Sequence, residues 1–390
     1  MIYFSQLSLE DKVIIKTEKT GSVEALRGIM NEVSAEDGVK GLLLLSCDEN
    51  NFTPESVDDV LKKVSLPLFG GVFPQIIHGK ELFGKGSIVA GLTHDIDVKT
   101  IPNLSSPDND FDSIINKLIP EAGDTQTMFV LVDGYSRRIS DLIESLYMQV
   151  GLGINYLGGG AGSIDPMALK IRQTPCLFTN KGLIKDSALL VTTPMQSGVG
   201  VRHGWSKLEG PFRVTESDTN VIKSLDWRPA FEVYREVVEK HSGKSITKDN
   251  FFDVAKAFPF GISRLGSQII VRDPFAVDEN NWLTVAAEIP SESFVDLLTG
   301  DQESLVGAAN NAFKDATNSF GGASDQKTVL LIDCVSRAMF LGDEFSQEID
   351  ATYDPGSPLI GFLSLGEIAN SGRDYMELLN KTAVVGVLAS

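Results

Sequence analysis

The sequence predicts an α/β (or α+β) protein in which two regions of mixed sheets are flanked by helices. Three observations support this class. The chain has 390 residues, which suggests two or three domains. Hydrophobic residues make up 42% of it and charged residues 22%, as in a globular protein with an ample core. One order of apolar runs and amphipathic segments occurs three times, which predicts duplicated strand–helix–strand units.

The first copy of this order begins with the continuous apolar run 41–46, which is short enough for a buried strand. Thr53 and Pro54 then predict a helix start, because threonine caps helices and proline suits the first helical position. A run that contains Gly70 and Gly71 follows, and a second apolar run covers 86–92. Together these segments form one predicted unit.

The same order appears twice more along the chain. The second copy has a strand at 128–132, a helix at about 140–150 and the glycine-rich run 155–160. The third has a strand at 329–332, a helix through Met339 and Phe345, a run at 358–362 and a closing strand at 382–388. Long segments separate the copies, so we predict duplicated units and not an open solenoid. The glycines either serve sharp turns beside a packed sheet or form loops around one cleft.

Charge and cysteine content exclude several classes of function. The formal net charge is −19, which argues against nucleic acid and anionic membranes as partners. Residues 1–13 show no secretory signal, and the longest uncharged stretch, between Glu144 and Asp165, contains six glycines and makes a poor membrane helix. Three widely separated cysteines favour a reducing cytoplasm over a disulfide framework.

Candidate binding residues centre on one histidine. The four histidines do not pair at metal-ligand spacing, but His203 lies between Arg202 and Trp205 in a glycine-containing segment. A neutral imidazole there could ligate iron or bind a ligand, and the indole could stack on a flat molecule. The alternative is a buried histidine with a backbone partner.

Ionisable residues near the C-terminus form a second candidate group. Asp333 and Arg337 are four positions apart, which allows an ion pair at a strand-to-helix junction, and Glu367 follows a glycine turn. No complete P-loop or nucleophile elbow is present. We therefore predict structural pairing or ligand anchoring for these residues and expect no enzyme activity.

The ordered motifs resemble those of stand-alone FIST-domain proteins, with a FIST N region at 1–210 followed by a FIST C region at 211–390. The motifs that carry this resemblance are, in chain order, Leu68–Pro74, Leu157–Gly162, Gly200–Trp205, Pro211–Thr215, Leu225–Tyr234, Val271–Pro274, Asp333–Arg337 and Gly361–Ile368. The resemblance covers nearly the whole chain, and the order of the motifs makes the set specific.

The resemblance implies a cytoplasmic sensor that binds a small molecule between the two regions and acts on a separate signalling protein. Some bacterial members bind haem, sense nitric oxide and control a histidine kinase or a cyclic-di-GMP enzyme. For such a role His203 would hold the haem iron, while Arg202 and Trp205 would shape the pocket. Nitric oxide would weaken the iron bond and shift the glycine-rich loops against the partner.

Other members have been proposed to bind amino acids, which implies a second arrangement. Arg272 or Arg337 would then hold a carboxylate bidentately. Asp333 or Glu367 would meet the amine.

Overall fold

The structure, a computed structural model, describes residues 14–121, 123–165, 170–262, 269–322, 326–370 and 376–389. Residues 1–13, where no secretory signal is expected, lie outside these ranges. The helices of the described residues are α1 (Val23–Ser34), α2 (Pro54–Leu61), α3 (Phe111–Leu118), α4 (Ile139–Gln149), α5 (Ala230–Ser242), α6 (Phe251–Ala255), α7 (Gln302–Phe320), α8 (Val335–Leu341) and α9 (Phe345–Thr352), with 3₁₀ turns at Asp48–Asn50 and Gly342–Glu344. None of the described helices is both long and apolar enough to cross a bilayer.

The strands, in chain order, are β1 (Ile14–Glu18), β2 (Gly41–Cys47), β3 (Leu68–Phe73), β4 (Ile76–His78), β5 (Glu81–Phe83), β6 (Ser87–Leu92), β7 (Asp97–Pro102), β8 (Thr127–Asp133), β9 (Asn155–Ala161), β10 (Ser163–Asp165), β11 (Lys170–Arg172), β12 (Leu177–Thr179), β13 (Gly182–Ile184) and β14 (Ser187–Thr193). They continue with β15 (Ser197–Arg202), β16 (Ser206–Asp218), β17 (Val221–Leu225), β18 (Arg228–Pro229), β19 (Phe260–Ile262), β20 (Ile270–Arg272), β21 (Pro274–Val277), β22 (Leu283–Val285), β23 (Phe294–Thr299), β24 (Lys327–Cys334), β25 (Leu359–Ser364), β26 (Glu367–Ala369), β27 (Glu377–Leu379) and β28 (Ala383–Ala389).

Three units share one arrangement of strands, which confirms the predicted duplication. In each unit a central strand pairs in parallel with the strand after its helix, as in β2–β3, β8–β9 and β24–β25. A later strand returns antiparallel on the other side of the central strand, as in β6, β14 and β28. An outer strand completes this side, namely β1, β7 and β15. The mixed sheets and flanking helices match the predicted fold class.

The units exchange hairpins in a closed cycle. The hairpin β4–β5 of the first unit pairs with β25 of the third. The hairpin β26–β27 of the third unit pairs with β9 of the second, and β12–β13 of the second pairs with β3 of the first. Each six-stranded sheet is therefore finished by another unit. Because β3, β9 and β25 also contact one another, the three units form one core.

Equivalent glycines explain why each unit can pack closely. Gly70, Gly158 and Gly361 pair with Leu44, Val130 and Leu331 of their central strands, and an added Cβ would lie 1.8, 1.8 and 2.2 Å from the backbone oxygens of these partners. No side chain fits at such distances. The recurring glycines therefore lie within strands, where they allow close approach of the backbones, and not in the sharp turns or cleft loops that the sequence suggested.

A separate sheet is inserted into the third unit. Residues 206–299, between β15 and α7, supply all the strands of the eight-stranded sheet, β16 to β23, together with α5 and α6. Residue 210, the predicted boundary between the regions, lies within β16. The third unit therefore has strands on both sides of that boundary, since β15 pairs with β28.

Local details follow the sequence with small differences. Thr53 is the N-cap of α2 and Pro54 its first residue, as predicted. The helix expected at 140–150 is α4. The single helix expected through Met339 and Phe345 is divided into α8 and α9, because Gly342 has a φ of +57° and interrupts the helix.

Candidate functional site

Three of the predicted residues line one open cavity. Arg202 ends β15, and His203, Gly204 and Trp205 form the link to β16. Residues of α7 from Glu303 to Asn318 form the opposite wall, and the cavity has a volume of about 1100 Å³. Gly204 has a φ of +78°, and an added Cβ would lie 2.6 Å from the Ser304 backbone oxygen. Glycine at this position is what allows the loop to approach α7 so closely.

His203 is neutral in this setting. Burial, together with the nearby charges of Arg337 and Arg202, lowers the pKa of the imidazole from 6.5 to about 4. The backbone N–H of Trp205 donates to His203 Nδ1 at 3.0 Å. Because Nδ1 is the acceptor, the proton of the neutral ring is on Nε2. His203 therefore has the backbone partner that the alternative sequence interpretation expected.

The cavity wall carries charges of both signs. Arg202 forms an ion pair with Asp315 of α7, with Nε and Nη2 at 2.8 and 2.7 Å from Oδ2. Both side chains are about two-fifths exposed. Lys314 and Glu303 of the same helix also line the space. A ligand that bears both a carboxylate and an ammonium group would find an opposite charge for each.

Trp205 forms the closed end of the cavity and is only 4% exposed. Its Nε1 donates to the backbone oxygen of Lys381 at 3.2 Å, and its ring lies 5.3 Å from that of Phe340. The Lys381 ammonium lies 5.0 Å from the indole centroid, a cation–π contact. Little of the indole is therefore available to stack on a flat ligand.

Arg337 is fully buried beneath this loop and contacts it directly. Nη1 donates to the backbone oxygens of His203 at 2.5 Å and of Lys381 at 3.1 Å. Nη2 donates to the Leu305 backbone oxygen at 3.3 Å. A ligand carboxylate could reach this guanidinium only by displacing one of these acceptors.

Two buried carboxylates compensate the Arg337 charge. Nη2 forms an ion pair with Glu348 of α9, and Nε lies 3.1 Å from Asp333 Oδ1. Burial raises the pKa of both carboxyl groups, and the guanidinium acts against that rise. The predicted Asp333–Arg337 ion pair is present. Glu348 was missed, since an acidic residue on a short helix is usually exposed.

A second buried ion pair lies beside the first. Lys381 Nζ donates to Ser336 Oγ at 2.8 Å and to the Lys256 backbone oxygen at 2.9 Å, and it lies 3.3 Å from Asp273 Oδ1. Ser336 Oγ also donates to Asp273. Asp273 and Lys256 belong to the inserted region, so this pair joins it to the third unit. Nothing in the sequence marks Lys381, because lysine is almost always exposed.

Glu367 and Arg272, the remaining predicted residues, are also buried. Glu367 accepts hydrogen bonds from Ser364 Oγ at 2.6 Å and from the Thr382 N–H at 3.2 Å, and burial raises its pKa to about 8. Arg272 donates to the backbone oxygens of Glu288 and Leu378, at 2.9 and 3.0 Å, and lies 3.6 Å from Glu377. Arg272 thus links the inserted region to β27, away from the open cavity.

The cavity around His203 does not fit haem in this conformation. Axial ligation by Nε2 would require the ring proton to move to Nδ1, which would break the hydrogen bond from Trp205. The walls are polar and charged, with Asp301, Glu303 and Lys314 among them, whereas haem is a largely apolar macrocycle. Among the described residues, no group of three or more His, Cys, Asp or Glu side chains is placed to hold a metal ion.

Comparison with known families gives two matches along the chain. A family model for the FIST N domain matches residues 31–228, and one for the FIST C domain matches residues 230–370. The first match alone covers more than half of the chain. A comparison of the chain with curated protein sequences gives no match.

Proposed function

The chain belongs to the FIST family, whose domains are generally small-ligand sensors in signal transduction, and we propose that it is a non-catalytic sensor of a zwitterionic metabolite of the amino-acid class. The observation that carries this proposal is the cavity beside His203, where charges of both signs line about 1100 Å³. The ligand carboxylate pairs with Arg202 or Lys314. The ammonium group pairs with Glu303 or Asp315.

The contact between His203 and Arg337 supports a route for the signal. Ligand contacts that move the His203 loop change the hydrogen bond from Arg337 Nη1. Arg337 belongs to α8 and pairs with Glu348 of α9, so these helices respond. A ligand shifts this equilibrium only by the difference between its affinities for the two arrangements. A separate signalling protein receives the change.

The compartment in this proposal is the cytoplasm. Cys47, Cys176 and Cys334 are all free and buried, which suits a reducing environment. Haem and nitric oxide are left out of the proposal because the Trp205 N–H occupies His203 Nδ1 and the cavity walls are charged.

A thermal-shift screen of single amino acids tests the proposal. We expect at least one amino acid to raise the melting temperature of the wild-type protein, because a ligand that binds the folded state stabilises it. Arg202→Ala should remove this shift. Arg27→Ala, which alters an exposed arginine on α1, is the matched control and should keep it.

The same screen includes haem. A Soret band that His203→Ala abolishes, together with no response to amino acids, would overturn the proposal in favour of a haem sensor. If neither amino acids nor haem shift the melting temperature, a scaffold without a ligand explains the fold better.

A further inference from the structure

A second cavity lies where the first and third units meet. Its volume is about 920 Å³, and it is distinct from the His203 cavity because the two share no lining residue. The turn after β2, the link after β3 and the hairpin β4–β5 form one side. Helices α8 and α9 form the other side, and Ile164 of the second unit closes one end. We call this space the hairpin cleft.

The position of the hairpin cleft is typical of binding sites. Asp48 follows β2, Pro74 follows β3 and Val335 follows β24, so the cleft lies outside the carboxyl ends of these strands. In α/β sheets the carboxyl ends of parallel strands are where ligands bind, because the loops there converge without blocking the space. Four separate segments of the chain, around Asp48, Pro74, Ile164 and Val335, supply the cleft.

At the two equivalent junctions in the other units, described residues of the hairpin and of the helix are in contact. At the junction of the first and second units, the Leu183 N–H donates to Asp58 Oδ1 of α2 at 2.9 Å, which ties β13 to the helix. At the junction of the second and third units, Leu378 of β27 belongs to the same apolar cluster as Leu142 and Ile143 of α4. The third junction has a contact of the same kind, since Lys80 of the hairpin pairs with Asp350 of α9 at 2.8 Å, and the hairpin cleft lies beside it.

The charges of the hairpin cleft favour a cation. Its lining includes the carboxylates of Asp48, Glu49 and Asp343 and one ammonium group, that of Lys80. Lys80 Nζ is already paired with Asp350 at 2.8 Å and lies 4.9 Å from the ring centroid of Tyr353. In the part of the chain that the structure describes, Glu49 and Asp343 have no cationic partner.

Part of the lining of the hairpin cleft is apolar. Leu82, Met339 and Ile164 are half-buried there and offer apolar surface, whereas Phe345 and Ile349 of α9 are almost fully buried and expose little of their side chains. An aromatic or aliphatic group would gain about 25 cal/mol for each Å² that it buries there. The combination of carboxylates at the mouth and apolar side chains within suits a molecule with a cationic end and an apolar body.

From these observations we infer that the hairpin cleft binds a small organic amine, with its ammonium group at Glu49 and Asp343 and its apolar part against Leu82 and Met339. The volume accommodates a ligand of this class, since small-molecule sites span roughly 300–1,000 Å³. The hairpin cleft shares no lining residue with the cavity beside His203. Binding of an amine in the cleft therefore does not require that an amino acid binds beside His203.

Titration calorimetry with phenethylamine tests this inference on the full chain at pH 7 and low salt. We expect binding to wild-type protein and an affinity at least tenfold lower for 2-phenylethanol, which has the same ring and no charge. The double variant Glu49→Gln/Asp343→Asn should also weaken phenethylamine at least tenfold. The double variant Glu24→Gln/Asp112→Asn is the matched control, because it changes the net charge equally at exposed positions outside the cleft.

Two further variants locate the site. Ala338→Phe should reduce the binding of phenethylamine by filling the cleft from α8, and its far-ultraviolet circular dichroism should match the wild type. Arg202→Ala should leave this binding intact. The inference is overturned if wild-type protein does not bind phenethylamine, if 2-phenylethanol binds as well, or if Arg202→Ala and not the cleft variants removes binding.

Discussion

The backbone oxygen of His203 accepts a hydrogen bond from Arg337 Nη1 at 2.5 Å. The two residues are 134 positions apart, and they belong to a loop at the cavity and to a helix that lines the hairpin cleft. Because Arg337 is fully buried and paired with Asp333 and Glu348, a shift of the loop changes the environment of three charges at once. This contact links the loop at the first cavity to α8, a helix that lines the hairpin cleft.

Removal of the Arg337 guanidinium should destabilise the protein strongly. Arg337→Met leaves Asp333 and Glu348 as buried carboxylates without compensation, which typically costs about 3–5 kcal/mol of unfolding free energy. Urea unfolding followed by circular dichroism measures the loss. Arg27→Met on the surface of α1 should stay within about 0.5 kcal/mol of wild type. A similar small effect for Arg337→Met would contradict a buried, charged network.

The equivalent glycines should not tolerate alanine. In Gly70→Ala, Gly158→Ala and Gly361→Ala, the new Cβ would lie within 2.2 Å of a backbone oxygen, so the strands must separate. We expect a loss of more than about 3 kcal/mol in each, or insoluble expression. Gly28→Ala in α1 is the control, because nothing lies within 4 Å of its Cβ, and it should raise stability by about 0.5–1 kcal/mol. Equal stabilities for all four variants would refute the close packing.

Glu367 should make stability fall as pH rises. Its pKa is about 8 in the folded protein and 4.5 without burial, so between these values the unfolded state has lost a proton that the folded state retains. The corresponding loss is on the order of 4 kcal/mol by pH 8. Glu367→Gln stays uncharged and should remove this contribution. Urea unfolding at pH 5, 6.5 and 8 measures the unfolding free energy of both proteins. If this free energy depends on pH equally in the wild type and in Glu367→Gln, Glu367 is ionised throughout and the prediction is wrong.

His203 should have the opposite effect. Its folded pKa of about 4 lies below the ordinary 6.5, so the unfolded state binds the extra proton and stability falls as pH drops from 6.5 towards 4. His203→Asn retains an acceptor for the Trp205 N–H and cannot take up that proton. Its stability should therefore depend less on pH in this interval, while above pH 7 the two proteins differ by a constant amount. Urea unfolding at several pH values measures this dependence. If the unfolding free energy of His203→Asn falls between pH 6.5 and 4 as steeply as that of the wild type, the pKa of His203 is not lowered by folding.

Trp227 should be replaceable by glycine without loss of stability. The indole is 75% exposed at the turn between β17 and β18, where Asp226 and Trp227 have φ values of 49° and 61°. Glycine adopts these angles freely. Among the described residues, the only ring contact that the substitution removes is the cation–π contact between Trp227 and Arg213. Trp227→Gly should be about 0.5–1 kcal/mol more stable than wild type in urea unfolding. A loss above about 1 kcal/mol would show that the ring stabilises the fold.

Much of the fold was predictable because apolar runs follow the strands of each unit. The runs near Leu43, Val130 and Leu331 became the three central strands, and the glycine that follows each helix became the point of closest strand contact. The hairpin exchange was not predictable. Short strands such as β4 and β12 carry no sign of which sheet edge they join, since any unpaired edge offers the same backbone groups.

The candidate site was predictable only in part. The glycines around His203 indicated a tight loop, and Asp333 and Arg337 had the spacing of an ion pair. Lys381, Asp273 and Glu348 gave no such signal, because charged residues are exposed unless a partner from a distant segment compensates them. Their partners come from different units and from the inserted region.

The sequence by itself determined the units, their order and the residues at the loop of His203, because hydrophobic periodicity and glycine placement act over short distances. The tertiary structure decided which charges are buried together and which hairpin completes which sheet. These features depend on contacts between segments far apart in the chain, and their energies are set by burial and charge compensation that exist only after folding.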